Sequence, residues 1–165
     1  MIDLERFIKA HEKSYKNALL EIKQGKKQTH WMWFIFPQIK GLGQSKTAKY
    51  YEIKSIEEAK AYLKNNYLKN HLIEISSELL KLKNNNVTQI LGTPDDLKLH
   101  SSMTLFSIID KENKIFEGVL NKYYNRKKDE KTIEIIKNNN IWVFSHYLHK
   151  TNLYLYRGDE IAKKI

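Results

Sequence analysis

This 165-residue sequence predicts an all-α fold: a compact single-domain array of several helices, residues 1–140, followed by a short C-terminal extension, residues 141–165, that reads as a β-hairpin. Three observations carry the prediction. Apolar residues recur at helical spacing through most of the chain. Residues that favour helix starts, Asp, Ser, Thr and a Thr-Pro pair, stand just before those periodic runs. Before the tail, no alternating segment has a convincing partner strand.

From Asp3 to Gly25 the pattern is the clearest. Leu4, Phe7, Ile8, His11, Tyr15, Ala18, Leu19 and Ile22 form one helical stripe with Lys and Glu opposite. Asp3 suits the start, and Gly25 with Lys23, Lys26 and Lys27 suits the end. His11, on the apolar stripe, reads as a hydrogen-bonded core histidine.

His30 to Phe36 is a buried run, rich in aromatics, that periodicity assigns equally to a strand or to two helical turns. Aromatic content favours the strand. Thr29 as cap and Pro37 as stop favour the helix, which is the preferred reading.

Ser45 then caps a short helix with Ala48 and Tyr51, and Ser55 with Glu58 is a capping box that opens a helix through Leu63. A turn at Asn65-Asn66 precedes a longer helix with Leu68, Leu72, Ile75, Leu79 and Leu80. The run Lys83-Asn84-Asn85-Asn86 is a loop, because Asn side chains compete for backbone hydrogen bonds. A helical turn at 87–92 closes on Gly92, and Thr93-Pro94-Asp95-Asp96 opens the next helix. Phe116, Val119, Leu120 and Tyr123 mark another, and 129–137 a last short one. After 138–140, residues 142–148 and 153–156 are strand-like.

Composition sets the outer limits. The absence of Cys excludes disulfides and thiolate chemistry. No apolar run reaches the ~20 residues needed to span a bilayer, and the first five residues read as an amphipathic start rather than a signal peptide, so a cytoplasmic location with no membrane contact is expected. The net charge of +10 invites a polyanion partner, but the basic residues are dispersed along a chain whose Lys, Asn and Ile content fits AT-rich coding, which disfavours nucleic acid. No Walker loop, dinucleotide fingerprint, zinc signature or nucleophile elbow is present, so no cofactor and no metal are expected. His146 and His149, three apart, have no third ligand nearby.

The segments HWMWFIFPQIKGLGQSKTAKYYEI and LGTPDDLKLHSSMTLF, with the Glu58-Ala59 and Tyr62-Leu63 pairs between them and the first helix before them, resemble the bacterial domain of unknown function 1810, a family sometimes labelled calpastatin. The resemblance covers about residues 2–136. It implies a mainly helical fold, which supports the helical reading of the aromatic run, and it implies no activity. The calpastatin label does not fit, because that inhibitor's disordered, repetitive composition is absent. Two positions depart from the family's usual pattern: His11 replaces a Gln, and Lys69-Asn70-His71-Leu72 replaces Gly-x-Arg-Leu.

The residues that stand out chemically lie in two places. His30 to Ser45 combines large rings with Gln38 and a loop at Gly41-Leu42-Gly43, where backbone can approach a ligand closely. Lys98 to Thr104 places one ammonium and three hydroxyls, Ser101, Ser102 and Thr104, within two helical turns, although Ser and Thr are mediocre helix formers.

The expectation is that these segments meet in one pocket. Trp33 or Phe34 would stack a flat ring, while Lys98, Ser101, Ser102, Thr104, Gly41 and Gly43 would hold an anion. Gln38 would orient the ligand and His30 would transfer protons. The partner is then a small anionic, nucleotide-like or ADP-ribose-like molecule, and whether it is only bound, or also hydrolysed or used as a transfer donor, is left open.

Two rival readings come from other classes. A nucleic-acid module would use the basic, aromatic stretch Lys122 to Lys128, and a protein-interaction module would use the tail. Oligomeric state is not specified by the sequence.

Overall fold

The computed structural model describes residues 2–139. Its elements are α1 (Glu5–Lys23), α2 (Met32–Ile35), α3 (Lys46–Tyr51), α4 (Ile56–Lys64), α5 (Asn66–Lys81), α6 (Val87–Leu91), α7 (Asp95–Ile109) and α8 (Ile115–Tyr124), and α9 covers residues 130–139. The described residues form an all-α fold. Their only β-type pairing is an isolated parallel bridge between Ile39 and Ile53. Residues 1–133 form one compact unit, and a second begins at Glu134. The expected hairpin and the pair His146 and His149 lie outside the described residues.

The fold is arranged around α7. Most of the helices bury one stripe, but α7 is buried without interruption from Ser101 to Ser107, as befits a half-helix with neighbours on every side. It packs against α8, α4, α6 and α2, while α1 and α8 flank α5. The density of Ser and Thr on α7 follows from this position, since small side chains let neighbouring helices approach closely. Their hydroxyls are mostly occupied inside the fold. Ser101 donates to the Leu97 carbonyl at 3.1 Å, Ser107 donates to that of Thr104 at 2.9 Å, and Thr104 Oγ1 accepts the Asp129 amide at 2.9 Å. Ser102 Oγ is buried and has no partner among the described residues.

Of the caps read from the sequence, Ser45 accepts the Ala48 amide at 3.1 Å. At α1 the cap position is Leu4 rather than Asp3, whose carboxylate accepts the Glu5 amide at 2.8 Å. Asn65 and Asn86, read as turn and loop, also act as caps, and accept the amides of Leu68 and Gln89 at 3.1 Å.

The box at Ser55 closes on one side only. Ser55 accepts the Glu58 amide at 3.2 Å, but Glu58 turns to the Lys54 amide at 2.6 Å and to Arg6 of α1 at 2.9 Å. A tertiary ion pair takes over the carboxylate that a purely local box would have used.

The aromatic run is helical for one turn rather than two. Thr29 does not cap it, because its hydroxyl donates to Glu21 at 2.6 Å, and the residue at the cap position is Trp31. Glu21 gathers five hydrogen bonds here: from the amides of Gln28 and Thr29, the Thr29 hydroxyl, the Asn17 amide group and the Trp31 indole N–H at 2.7 Å. Burial pushes this carboxyl up, but the hydrogen bonds outweigh burial and hold it at about 2. One buried carboxylate therefore fixes the loop that carries the chain from α1 into α2.

Candidate functional site

An open groove of about 1090 Å³ lies where α7 faces two loops. Its floor is the α7 strip of Leu97 and Ser101, four residues apart and so on one face. The first wall comes from Trp33, Gln38 and the segment 42–45 with Ala48, and the second from residues 127–131 with Ile133.

The first wall is set by close packing. The Gly43 backbone comes so near α3 that a β-carbon added there would lie 2.4 Å from Ala48 Cβ. Glycine is thus required at position 43 by proximity. At Gly41, in contrast, φ is +106°, so the requirement there is conformational. The loop then returns along the bridge, where the Ile53 amide donates to the Gln38 carbonyl at 2.8 Å and the Lys40 amide to that of Ile53 at 2.8 Å.

Trp33 is half-buried, and the Lys98 ammonium lies 4.8 Å from the centre of its ring. That ammonium also pairs with Asp95 at 2.7 Å, and Lys27 pairs with the same carboxylate at 2.7 Å. Burial raises the Asp95 carboxyl, and the two lysines more than reverse this, keeping it below the usual carboxylate range. Two ammoniums on one carboxylate leave a net positive charge at the edge of the groove.

His100 reaches the second wall. Its ring stacks on Tyr124 with centres 4.2 Å apart and planes 6° from parallel, and its Nε2 lies 2.8 Å from the Lys127 carbonyl. Lys127, Lys128 and Lys131 face the groove beside Asp129 and Glu130. Asp129 is engaged in capping α9, where its Oδ2 accepts the Thr132 amide at 2.9 Å and hydroxyl at 2.6 Å.

Of the residues singled out from sequence, Trp33, Gln38, Gly43, Lys98 and Ser101 all line this groove. The others lie elsewhere. His30 is exposed, with its ring 6.3 Å from that of Trp33 and outside the groove lining. Phe34 is buried on the other side of α2, against Tyr51 and His11. Gly41 is exposed and outside the lining, and Ser102 and Thr104 are fully buried in α7.

Sequence reading missed His100 and the 127–131 wall. Their signal was present in LHSS and in Arg126-Lys127-Lys128, but the contact between them joins positions 27 apart. Within the stretch Lys122 to Lys128, Lys122 donates to the carbonyls of Leu79, Leu80 and Leu82, Tyr123 to that of Leu79 and Tyr124 to that of Asp96. Those three side chains tie the fold together. No three His, Asp or Glu side chains converge as a metal set among the described residues, and none of the described helices is long and apolar enough to cross a membrane.

A helical unit arranged around one buried helix, with a groove open along it, defines the class of protein. The chain belongs to the family described as "Protein of unknown function (DUF1810)", whose model matches residues 1–136. It is also similar to the crystal structure of the conserved hypothetical protein Rv1873 from Mycobacterium tuberculosis: 41% identity, 82% of this chain and 96% of that one covered, and a TM-score of 0.80. No curated protein matches.

Proposed function

We propose that the groove binds a small anionic ligand that carries a flat ring, of nucleotide-like or ADP-ribose-like character. The observation that carries this reading is the half-buried Trp33 ring with the Lys98 ammonium 4.8 Å from its centre, at the edge of a groove of about 1090 Å³. The Lys98 ammonium lies over one indole face and adds positive charge to the groove, and the opposite face is the stacking surface for the ligand's ring in this reading. Gln38 and Gly43 on the same wall add an amide group and close backbone. His30, with its ring 6.3 Å from Trp33, stays close enough to the groove's edge to be tested as the proton-transfer group of a hydrolytic or transfer reaction.

The test is a thermal-shift screen of nucleotides and sugar phosphates on the wild-type chain and on W33A, K98A and H30A. A shift that W33A and K98A abolish, with folding intact, supports the site. If no anion shifts the wild-type protein, the reading falls. If H30A binds as the wild type does, His30 is not a ligand contact, and product analysis with the same variant then tests its acid–base role.

A further inference from the structure

We infer that the groove is polarised, with the ring of its ligand on the Trp33 wall and the anion on the His100 wall, so that its ligand class is a nucleoside diphosphate or a molecule of that length. The inference rests on the reading of the groove given above. It adds a contact residue, His100, and a length.

Lys98 and His100 are two positions apart on α7, about 200° around the helix, so they leave it on opposite flanks of the Leu97–Ser101 strip. Lys98 goes to Trp33, and His100 goes to Tyr124 and the Lys127 carbonyl. A carbonyl only accepts hydrogen bonds, so the His100 proton must sit on Nε2. Its other nitrogen, Nδ1, has no hydrogen-bond partner among the described residues. With Nε2 committed to the Lys127 carbonyl, Nδ1 is the ring nitrogen left for a ligand, and it holds an anion as the imidazolium, in which both ring nitrogens donate.

The balance of charge points the same way. Lys98 shares its charge with Asp95. On the second wall three lysines outnumber two carboxylates, and one of those, Asp129, is occupied as a cap. A helix with its side chains is about 10–12 Å across. A ligand that touches both flanks of α7 must be roughly that long, whereas a bare nucleoside or an inorganic anion meets one wall only.

The experiment uses the full chain with adenosine, ADP and inorganic pyrophosphate. Tryptophan emission, with W33F as reference, reports the first wall. The rate at which diethyl pyrocarbonate modifies His100, read by peptide mass, reports the second. ADP is expected to change Trp33 emission and to slow His100 modification, adenosine to do only the first, and pyrophosphate only the second. H100Q keeps a donor for the Lys127 carbonyl, and it is expected to weaken ADP binding about tenfold, the worth of one charge-assisted hydrogen bond, while leaving adenosine binding within about twofold.

ADP binding at Trp33 without protection of His100, or an equal loss of ADP and adenosine in H100Q, overturns the polarity and leaves the groove reading standing. Protection by pyrophosphate with no ligand perturbing Trp33 overturns the ring wall. If none of the three probes moves either reporter, both readings fall together.

Discussion

His11 shows how far a single buried side chain ties a property of the protein to pH. Its Nε2 donates to the Phe34 carbonyl at 2.9 Å, which leaves Nδ1 as an acceptor 3.1 Å from His71 Nδ1, so His71 must be the donor. Burial, offset in part by the Phe34 carbonyl and reinforced by His71, lowers His11 to about 4. A base whose folded value lies below its unfolded one, about 6.5, gives stability that is complete above pH 6.5 and lost as pH falls toward 4. By linkage the loss at pH 5 is about 2 kcal/mol. Urea midpoints at pH 7 and pH 5 should differ accordingly, and H11Q, whose amide can serve both neighbours, should flatten that difference. Glu21 behaves in the opposite sense of charge. Its depressed value makes its stability present above the ordinary carboxyl range and lost as pH falls to about 2. E21Q removes the charge from five donors and should cost about 2–3 kcal/mol at pH 7 by denaturant titration, with a shift in the emission of the buried Trp31.

Among the elements, α3 and the end of α5 depend on contacts that local sequence does not display. G43A should drive a methyl group into Ala48 and cost about 1–3 kcal/mol. Adding A48G should recover part of that loss, although glycine inside α3 costs roughly 1 kcal/mol of its own. Failure of the second change to recover any stability in thermal melts would show that Gly43 is needed for something other than clearance. At the end of α5, Lys122 closes three carbonyls. Burial lowers its pKa from the ordinary lysine value. K122M keeps the apolar stem and removes the donors, so it should lower stability by about 1–3 kcal/mol through the carbonyls of Leu80 and Leu82, while Leu79 keeps the Tyr123 hydroxyl as donor. Hydrogen exchange should then quicken first in the last turn of α5.

At the scale of the whole chain, the net charge of +10 opposes compaction through self-repulsion. Added salt screens this over a distance of about 10 Å at 0.1 M. The melting temperature should therefore rise between low and moderate NaCl. A fall would mean that ion pairs such as Arg6–Glu58 and Lys27–Asp95 outweigh the repulsion. Those two pairs link α1 to the start of α4 and the α1–α2 loop to α7, so charge here also holds distant segments in register.

What the sequence alone determined was the helical class, the caps at Ser45 and Ser55 and two segments that each contribute residues to the groove. Periodicity and cap chemistry act over three or four residues, and both are written in neighbouring positions. Trp33, Gln38, Gly43, Lys98 and Ser101 could be paired in advance because each segment concentrates groups that a core does not need. Tertiary structure alone decided which of the hydroxyls face inward. Ser102 and Thr104 read as a polar face only until α7 is seen to be enclosed from Ser101 to Ser107. It also decided that Thr29 serves Glu21 rather than a helix, that Glu58 leaves its box for Arg6, and that His100 meets Lys127. Two histidines, His11 and His71, face each other across 60 positions. Each of these outcomes is a competition between a local partner and a distant one, and only the packing of helices fixes how near the distant partner comes.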